Sequence, residues 1–482
     1  MTGGRHVRLT VMVIAVCVIA GCAPAPVDVA PPEGLLPPVT DAPNVILISL
    51  DTTRADHMSV YGYERATTPY LKKFASEGIL FEKAYAPMGI TGPSHATMFT
   101  GLYPIGHGVV KNGLKLADEH TTLAETLSEA GYQTAAVISS FVLDRRFGLN
   151  QGFDFYDDDI PPEEGLIKLD EWEGFALDKG FDRHGEFTIN HAVSWLTQKR
   201  EPDQPFFLFV HLFDPHAPYL VAGDVVDSLD PDWATRDTIG KSTSLYDAEI
   251  RSVDSQIERL MKELDALGLD EETMVVVTAD HGEGLMQHGY MMHGMGVFEE
   301  EVHIPFLLRW PGHISPGVKV SAPIELTDLM PTLLSFTGTD GVDKASGRNL
   351  RGAILGLASL DSERPVFTHR RHYSYVFAQA APPGYFPLGE EPDPVHLVGR
   401  QYAVRQGPWK LIVTHETNEH QLYNLDDDPG ELKNLGGQER DVVEELQEQL
   451  DLWLENYQRP IEPNTIIQEE DLEALKALGY LE

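Results

Sequence analysis

Cysteine is nearly absent from this 482-residue chain, and positive charge is scarce. The two cysteines, Cys17 and Cys22, both fall within the first two dozen residues. The body of the chain therefore has no disulfide, no thiolate metal site and no cysteine nucleophile. Lysine and arginine number 36 against 75 aspartates and glutamates, a formal net charge of −39. That balance argues against a nucleic-acid or anionic-lipid surface, which requires Lys and Arg, so no nucleic-acid partner is expected. It leaves open an anionic substrate drawn in locally by a bound cation. Most of the acidic surplus reads as a solvated exterior that resists aggregation. Internal repeats are also lacking. The length and a hydrophobic content of 42% suit a globular protein with a large core.

The N-terminus reads as an address. Arg5 and Arg8 precede an apolar run from Leu9 to Ala20 that breaks into small residues at Cys22. A basic start, a short apolar stretch and a small-residue end make a secretory signal, too short for a comfortable permanent span. Ile19-Ala20-Gly21-Cys22 resembles a bacterial lipobox, which implies lipidation of Cys22 and a cell-envelope location, periplasmic or outer-membrane, with the membrane reached through the lipid alone. Ala23 after the cysteine favours the outer membrane on the same resemblance. Residues 23–43 are Pro-rich and read as a tether, which leaves 44–358 as a catalytic domain and 359–482 as a C-terminal subdomain ending in a helix.

Asn44–Leu50 (NVILISL) is an unbroken apolar run, expected of a strand buried on both faces of a parallel sheet. Similar strands are expected over Thr134–Ile138, Pro205–Phe213 and Met274–Ala279. Helices are expected from Thr68-Pro69, with Thr as N-cap and Gly78 as the stop, and from the capping box Thr122/Glu125 to Gly131. Ser244–Leu267 carries Ile250, Val253, Ile257, Leu260, Met261 and Leu264 at helical spacing. Strands alternating with helices imply an α/β layered fold with a large, mainly parallel sheet. Beyond about Leu360, short strands around Tyr402–Val413, the turn Asp428-Pro429-Gly430 and helices over Val442–Tyr457 and Glu469–Leu481 mark a smaller α+β subdomain.

Functional groups in such sheets gather at the carboxyl ends of the strands. Asp51 follows the first strand directly and Asp280-His281 follows Met274–Ala279. Thr91 begins Thr91-Gly92-Pro93-Ser94-His95, at the start of a helix reaching Gly101. Two carboxylates, an imidazole and an alkoxide suit Zn²⁺, Mn²⁺ or Ca²⁺, and a hydroxyl beside such a cation becomes a nucleophile. The helix N-terminus offers N–H groups to an anion. Singly, Asp-His-Gly is more often a turn and Thr91 more often an N-cap; together they point to a site.

Ile48-Ser49-Leu50-Asp51-Thr52-Thr53-Arg54-Ala55-Asp56-His57, Thr91-Gly92-Pro93-Ser94-His95-Ala96-Thr97-Met98-Phe99-Thr100-Gly101 and Tyr246-Asp247-Ala248-Glu249-Ile250 recur in order before Thr278-Ala279-Asp280-His281-Gly282-Glu283. Asp328-Leu329-Met330-Pro331-Thr332, Trp409-Lys410-Leu411-Ile412 and Leu422-Tyr423-Asn424-Leu425 follow. This series, across roughly residues 44 to 460, resembles the sulfatase family of the alkaline phosphatase superfamily. The resemblance implies an alkaline-phosphatase-like fold, with Asp51, Asp280 and His281 as metal ligands and Thr91 as nucleophile.

The chain departs from the sulfatase pattern at its centre. The family's Cys (or Ser)-x-Pro-Ser-Arg is oxidised to formylglycine at its first residue; Thr91 stands there, and a secondary alcohol gives no aldehyde. His95 replaces the arginine, and Ile138-Ser139-Ser140-Phe141 stands where a Gly-Lys-Trp-His stretch is expected. Thr91-x-Pro-Ser-His, Gly101-Leu102-Tyr103-Pro104 and His107-Gly108-Val109-Val110-Lys111-Asn112 instead resemble nucleotide pyrophosphatase/phosphodiesterases, in which an unmodified threonine attacks phosphorus. Asn112 would then be an oxyanion donor or, equally, a turn residue before Gly113. A second metal would draw on Asp214, His216 and His293, although Asp214 and His216 are two apart where two-metal relatives space them by four. His216 is better read as a substrate or leaving-group contact, and His293 as either. His369, His372, His415 and His420 read as surface or packing residues.

The expectation is a hydrolase acting on a small-molecule or glycan phosphate or sulfate ester through a covalent intermediate on Thr91. Asn112 and His95 would shape the anion pocket, and His216 and His293 would assist departure. Phosphate esters are favoured because of Thr91. The alternatives are a true arylsulfatase-like sulfuric ester hydrolase, an envelope phosphoethanolamine or phosphoglycerol transferase, and an inactive anion- or glycan-binding lipoprotein.

Overall fold

In the computed structural model, residues 42–457 are described apart from 166, 169–170, 173, 178, 340–344, 374–375, 378–394 and 397–398, together with residues 36 and 39. The expected signal, Cys22, most of the tether and the helix at Glu469–Leu481 lie outside the described residues.

The nine-stranded sheet uses β1 (Asn44–Leu50), β2 (Ile79–Tyr85), β3 (Gln133–Val137), β4 (Phe155–Asp157), β5 (Phe206–Leu212), β6 (Thr273–Ala279), β7 (His303–Arg309), β8 (Val318–Val320) and β9 (Ile324–Glu325). Its order is β8-β2-β7-β6-β1-β5-β3-β4, with β9 also on β2. Only β7 runs antiparallel to its neighbours. The central strands β6, β1 and β5 are buried along their whole lengths, the burial that their unbroken apolar runs demand.

Helices flank the sheet in two groups. On one side α1 (Pro69–Ser76), α4 (Gly185–Gln198) and α5 (Thr238–Ala266) pack together; α2 (Thr91–Thr100), α3 (Leu123–Glu129) and α6 (Leu329–Thr337) form the other group. The apolar stripe of α5 is buried as its spacing requires. Thr122 and Glu125 close the expected capping box. Thr68 does not cap α1: its hydroxyl accepts the N–H of Val60 and contacts Ser59 Oγ. Gly78 is needed less as a helix stop than for close approach, since a Cβ there would lie 2.3 Å from the carbonyl of Leu308 on β7.

A second, antiparallel sheet follows: β10 (Val366–Tyr373), β11 (Gly399–Gln406), β12 (Trp409–Thr414) and β13 (Glu419–Asn424), in that order. Helix α7 (Arg440–Glu455) packs Val443, Leu446, Leu450 and Trp453 against Tyr402, Val404, Leu411 and Leu422 of this sheet. No helix among the described residues is long and apolar enough to cross a membrane.

Candidate active site

β1 and β6 are adjacent and parallel, with Leu50 opposite Ala279, so Asp51 and Asp280 emerge side by side at the carboxyl edge of the sheet. Both are wholly buried, as is His281. Asp280 Oδ1 accepts the backbone N–H of His281 (2.8 Å) and of Thr52 (3.2 Å); its Oδ2 has no hydrogen-bond partner. Thr52 makes this contact in a left-handed conformation (φ 50°), uncommon for a β-branched residue and typical of strain held at a functional site. Asp51 Oδ2 meets His211 Nε2 at 3.1 Å, and its Oδ1 also lacks a partner.

His281 donates Nδ1–H to the carbonyl of Gly282 (2.9 Å), which leaves the Nε2 lone pair facing the site. Burial and the neighbouring His293 hold this imidazole well below its usual pKa, hence neutral. Burial pushes Asp51 up to about 8, and burial followed by the charge of Asp51 raises Asp280. Two adjacent buried carboxylates, each with an orphaned oxygen, beside a neutral imidazole nitrogen are a donor set that a divalent cation satisfies. Ligand atoms of Asp51, Asp280 and His281 lie within 4.8 Å of one another, the only such group among the described residues.

Thr91 opens α2. The residue before it, Ile90, is extended, and the Thr91 hydroxyl does not cap the helix; it lies 3.2 Å from His281 Nε2. Asn112 Oδ1 accepts the N–H of Gly92 at 2.7 Å, so its amide group is turned with Nδ2 away from that bond. The Gly92 N–H is thereby taken by Asn112 and is not free to meet an anion.

Three expectations change. His95 does not line an anion pocket: it is fully buried, with Nδ1 donating to the Thr91 carbonyl (2.8 Å) and Nε2 accepting from Ser49 Oγ (3.0 Å), and it braces α2 on β1. The second metal site is not assembled. Asp214 turns away to accept the Gly185 N–H (3.0 Å) and to meet His184 (3.4 Å), so His216 and His293 have no carboxylate partner from it. His216 donates Nδ1–H to the Ala217 carbonyl (2.6 Å), and burial keeps it neutral, so its Nε2 can accept but not donate.

The rings of His281, His293 and His216 follow one another, with centroids 4.5 and 5.1 Å apart. His293 pairs with buried Glu283 at 3.4 Å; although burial pulls it down, Glu283 and Asp51 raise it to about 9. Sequence reasoning left several contributors unassigned: His211, Glu283, Arg54, whose Nη1 donates to the Glu283 carbonyl (3.1 Å), and Glu301, which accepts the N–H groups of Gly294, Met295 and Gly296. Only His211 left a visible signal, a polar residue inside an apolar strand.

The parallel sheet with a carboxylate–imidazole group at its carboxyl edge defines an alkaline-phosphatase-like hydrolase. The family model for sulfatases matches residues 43–339, and one for the C-terminal part of N-sulphoglucosamine sulphohydrolase matches 287–459; this chain belongs to the sulfatase family, hydrolases of sulfate esters. It is 29% identical to an ulvan-active sulfatase of Formosa agariphila over 65% of each chain, and 23% identical to an N-acetylglucosamine-6-O-sulfatase of Bacteroides thetaiotaomicron over 83% of each. Among solved structures, a protein in complex with its substrate D-glucosamine-2-N,6-O-disulfate superimposes with a TM-score of 0.70 at 21% identity, covering 88% of this chain and 100% of that one.

Proposed function

We propose that the chain hydrolyses sulfate esters, with the unmodified hydroxyl of Thr91 as nucleophile. The observation that carries the site is the hydroxyl of Thr91 at 3.2 Å from His281, beside the orphaned oxygens of Asp51 and Asp280. Sulfate takes precedence over the phosphate expected from the sequence because family and relatives are named for sulfate esters.

A divalent cation held by Asp51, Asp280 and His281 would ease loss of the Thr91 proton and offset the charge of the anion. Thr91 Oγ attacks sulfur as its proton passes to solvent, the bond from sulfur to the ester oxygen breaks, and the Asn112 amide holds a non-bridging oxygen. His293, fixed by Glu283, gives its proton to the leaving oxygen, while His216 accepts a hydrogen bond from the substrate. Water then attacks sulfur, returning one proton to His293 and the other to Thr91 Oγ as that bond breaks, and sulfate leaves with the hydroxyl restored. The elimination open to an aldehyde hydrate is not available to a threonine ester. Lipidation at Cys22 would place this reaction at the cell envelope.

A second reading, a phosphate ester substrate, is favoured by Thr91 itself, since a plain alcohol suffices for attack on phosphorus. A panel of 4-nitrophenyl sulfate, phosphate, phosphonate and phosphodiester substrates with Ca²⁺, Mn²⁺ and Zn²⁺ in turn decides between them. Higher kcat/KM on the sulfate supports the proposal; predominant phosphate or phosphonate turnover replaces it with the second reading.

A further inference from the structure

A cleft of about 440 Å³ opens where β10 and β11 of the small sheet meet the segments leading to Thr91 and Asn112. Its wall includes Met88 and Val110, three and two residues from those positions, so the cleft lies within about 10 Å of chain from each. The two regions are tied together: Ser94 Oγ donates to the Met88 carbonyl (2.7 Å), and the His369 N–H donates to the Pro87 carbonyl (2.9 Å).

The lining is anomalous for a chain of net charge −39. Three arginines and three histidines face the cleft, and no aspartate or glutamate lines it among the described residues. Arg370 is anchored by hydrogen bonds to the carbonyls of Met295 (2.8 Å) and Gly399 (2.7 Å). Arg400 pairs at 3.0 Å with Glu416, which also lies 3.9 Å from His372. The register of β10 against β11 shifts between Arg370 and Tyr373, an irregularity that lets consecutive side chains of an otherwise alternating strand, Arg370, Arg371 and His372, reach one cavity. His369 supplies an independent pointer: only 3% exposed and lining the cleft, it has a hydrogen-bond partner at neither ring nitrogen. A buried imidazole left without partners is costly unless something else meets it. Tyr402, stacked beside His369, adds an aromatic wall.

We propose that this cleft binds a second anionic group, a sulfate or carboxylate carried by the saccharide part of the substrate, through Arg371, Arg400 and His369. Guanidinium forks match such oxyanions in geometry as well as charge, and a cationic cleft in an acidic protein concentrates them locally. This deepens the ester-hydrolase reading and rests on it only in taking the ligand to be part of the ester substrate. The substrate class is then a polyanionic saccharide ester, with a simple aryl ester reaching the reacting centre but not the cleft.

The test is calorimetric binding to the full-length Thr91→Ala protein, which needs no turnover. The probes are a persulfated dextran tetrasaccharide, tetragalacturonate and the uncharged dextran tetrasaccharide. At least one anionic probe is expected to bind roughly tenfold or more tightly than the neutral one, its identity distinguishing sulfate from carboxylate. His369→Gln/Arg371→Gln should weaken that binding about tenfold, and Lys199→Gln, an equal loss of charge outside the cleft, should not. If the double variant fails to fold, Arg400→Gln, with its side chain half exposed, carries the test. Equal binding of charged and neutral probes, or no effect of the cleft variants, overturns the proposal. Turnover of 4-nitrophenyl sulfate by the wild-type protein tests the hydrolase reading separately.

Discussion

The hydroxyl of Thr91 lies 3.2 Å from His281 Nε2, bringing the first residue of α2 beside the end of β6, 190 residues later in the chain. His281 Nδ1–H is committed to Gly282, which sets the tautomer and leaves Nε2 for the cation, with the hydroxyl of Thr91 directly beside that position. Thr91→Ala should therefore lower kcat by on the order of 10⁴-fold with the fold intact, while Thr91→Ser keeps turnover within about tenfold. Burst-phase kinetics with intact-protein mass measurement checks both; an adduct that persists in Thr91→Ala would show that the nucleophile lies elsewhere.

Removal of the cation should cost stability as well as activity. At a thousandfold excess over Kd, binding stabilises the native state by about 4 kcal/mol, so chelation should lower Tm by several degrees. Asp51→Asn sharpens this expectation. Without cation it removes one of two crowded carboxylates and should leave Tm at or above that of the metal-free wild type, yet it should lose most of the rise on adding Ca²⁺, Mn²⁺ or Zn²⁺. Thermal scans of both proteins with and without chelator settle it, and an undiminished rise in the variant would remove Asp51 from the ligand set.

Glu301 holds the loop that carries His293. Its buried carboxylate accepts three successive N–H groups, Gly294 to Oε2 and Met295 and Gly296 to Oε1. Glu301→Ala strands three donors at about 1–3 kcal/mol each if they stay buried, so the loop should shift and take His293 with it. The expected result is a fall in kcat with KM little changed, and partial recovery in Glu301→Gln, which keeps one acceptor oxygen. Equal kcat in Ala and Gln variants would mean the loop is held by other contacts.

The central strands were legible because burial on both faces writes itself as an apolar run, and the sheet rule then placed Asp51 and Asp280 at one edge. Thr91 and His281 needed the family pattern, since neither residue is distinctive by itself. What the sequence hid were contacts closed by loops. Asp214 follows one strand end and His293 lies beyond another, but Gly185 and His184 draw Asp214 aside. His95 looks like a replaced anion-binding arginine until Ser49 and the Thr91 carbonyl are seen to occupy both its nitrogens. Glu283 and Glu301 are glutamates among 75 acidic residues, and nothing local separates a buried clamp from a solvated charge.

His107 is predicted to contribute a pH-dependent share of stability. Burial, with smaller contributions from His120 and His369, lowers its pKa from 6.5 to about 3, and it is held neutral between Thr97 Oγ1 (3.1 Å) and the Val109 N–H (3.2 Å). Between those values the unfolded chain binds the proton and the folded chain does not, so stability is full above about 6.5 and falls as pH drops toward 3. From pH 6.5 to 5 the loss from this residue is about 2 kcal/mol. Denaturation of His107→Gln and wild type at pH 7 and pH 5 should show a smaller decline in the variant by about that amount; parallel declines would mean that His107 is protonated in the folded protein.

Lys410, in the stretch Trp409-Lys410-Leu411-Ile412, is a buried cation that ties three segments together. It leaves β12 only 2% exposed and reaches Glu299 at 3.0 Å and Glu431 at 2.9 Å, so one ammonium joins the small sheet, the turn after β13 and the segment following the His293 loop. Burial pushes Glu431 up to about 7, with Lys410 opposing that rise. Lys410→Met leaves two acids facing each other without their cation and should destabilise by about 3–5 kcal/mol, the cost of breaking a buried ion group. Adding Glu431→Gln removes one of the stranded charges, so the double variant should recover a large part of the loss. Non-additivity of this kind, measured by chemical denaturation of the single and double variants, is the signature of a charge cluster; additive losses would show that Lys410 acts through packing alone.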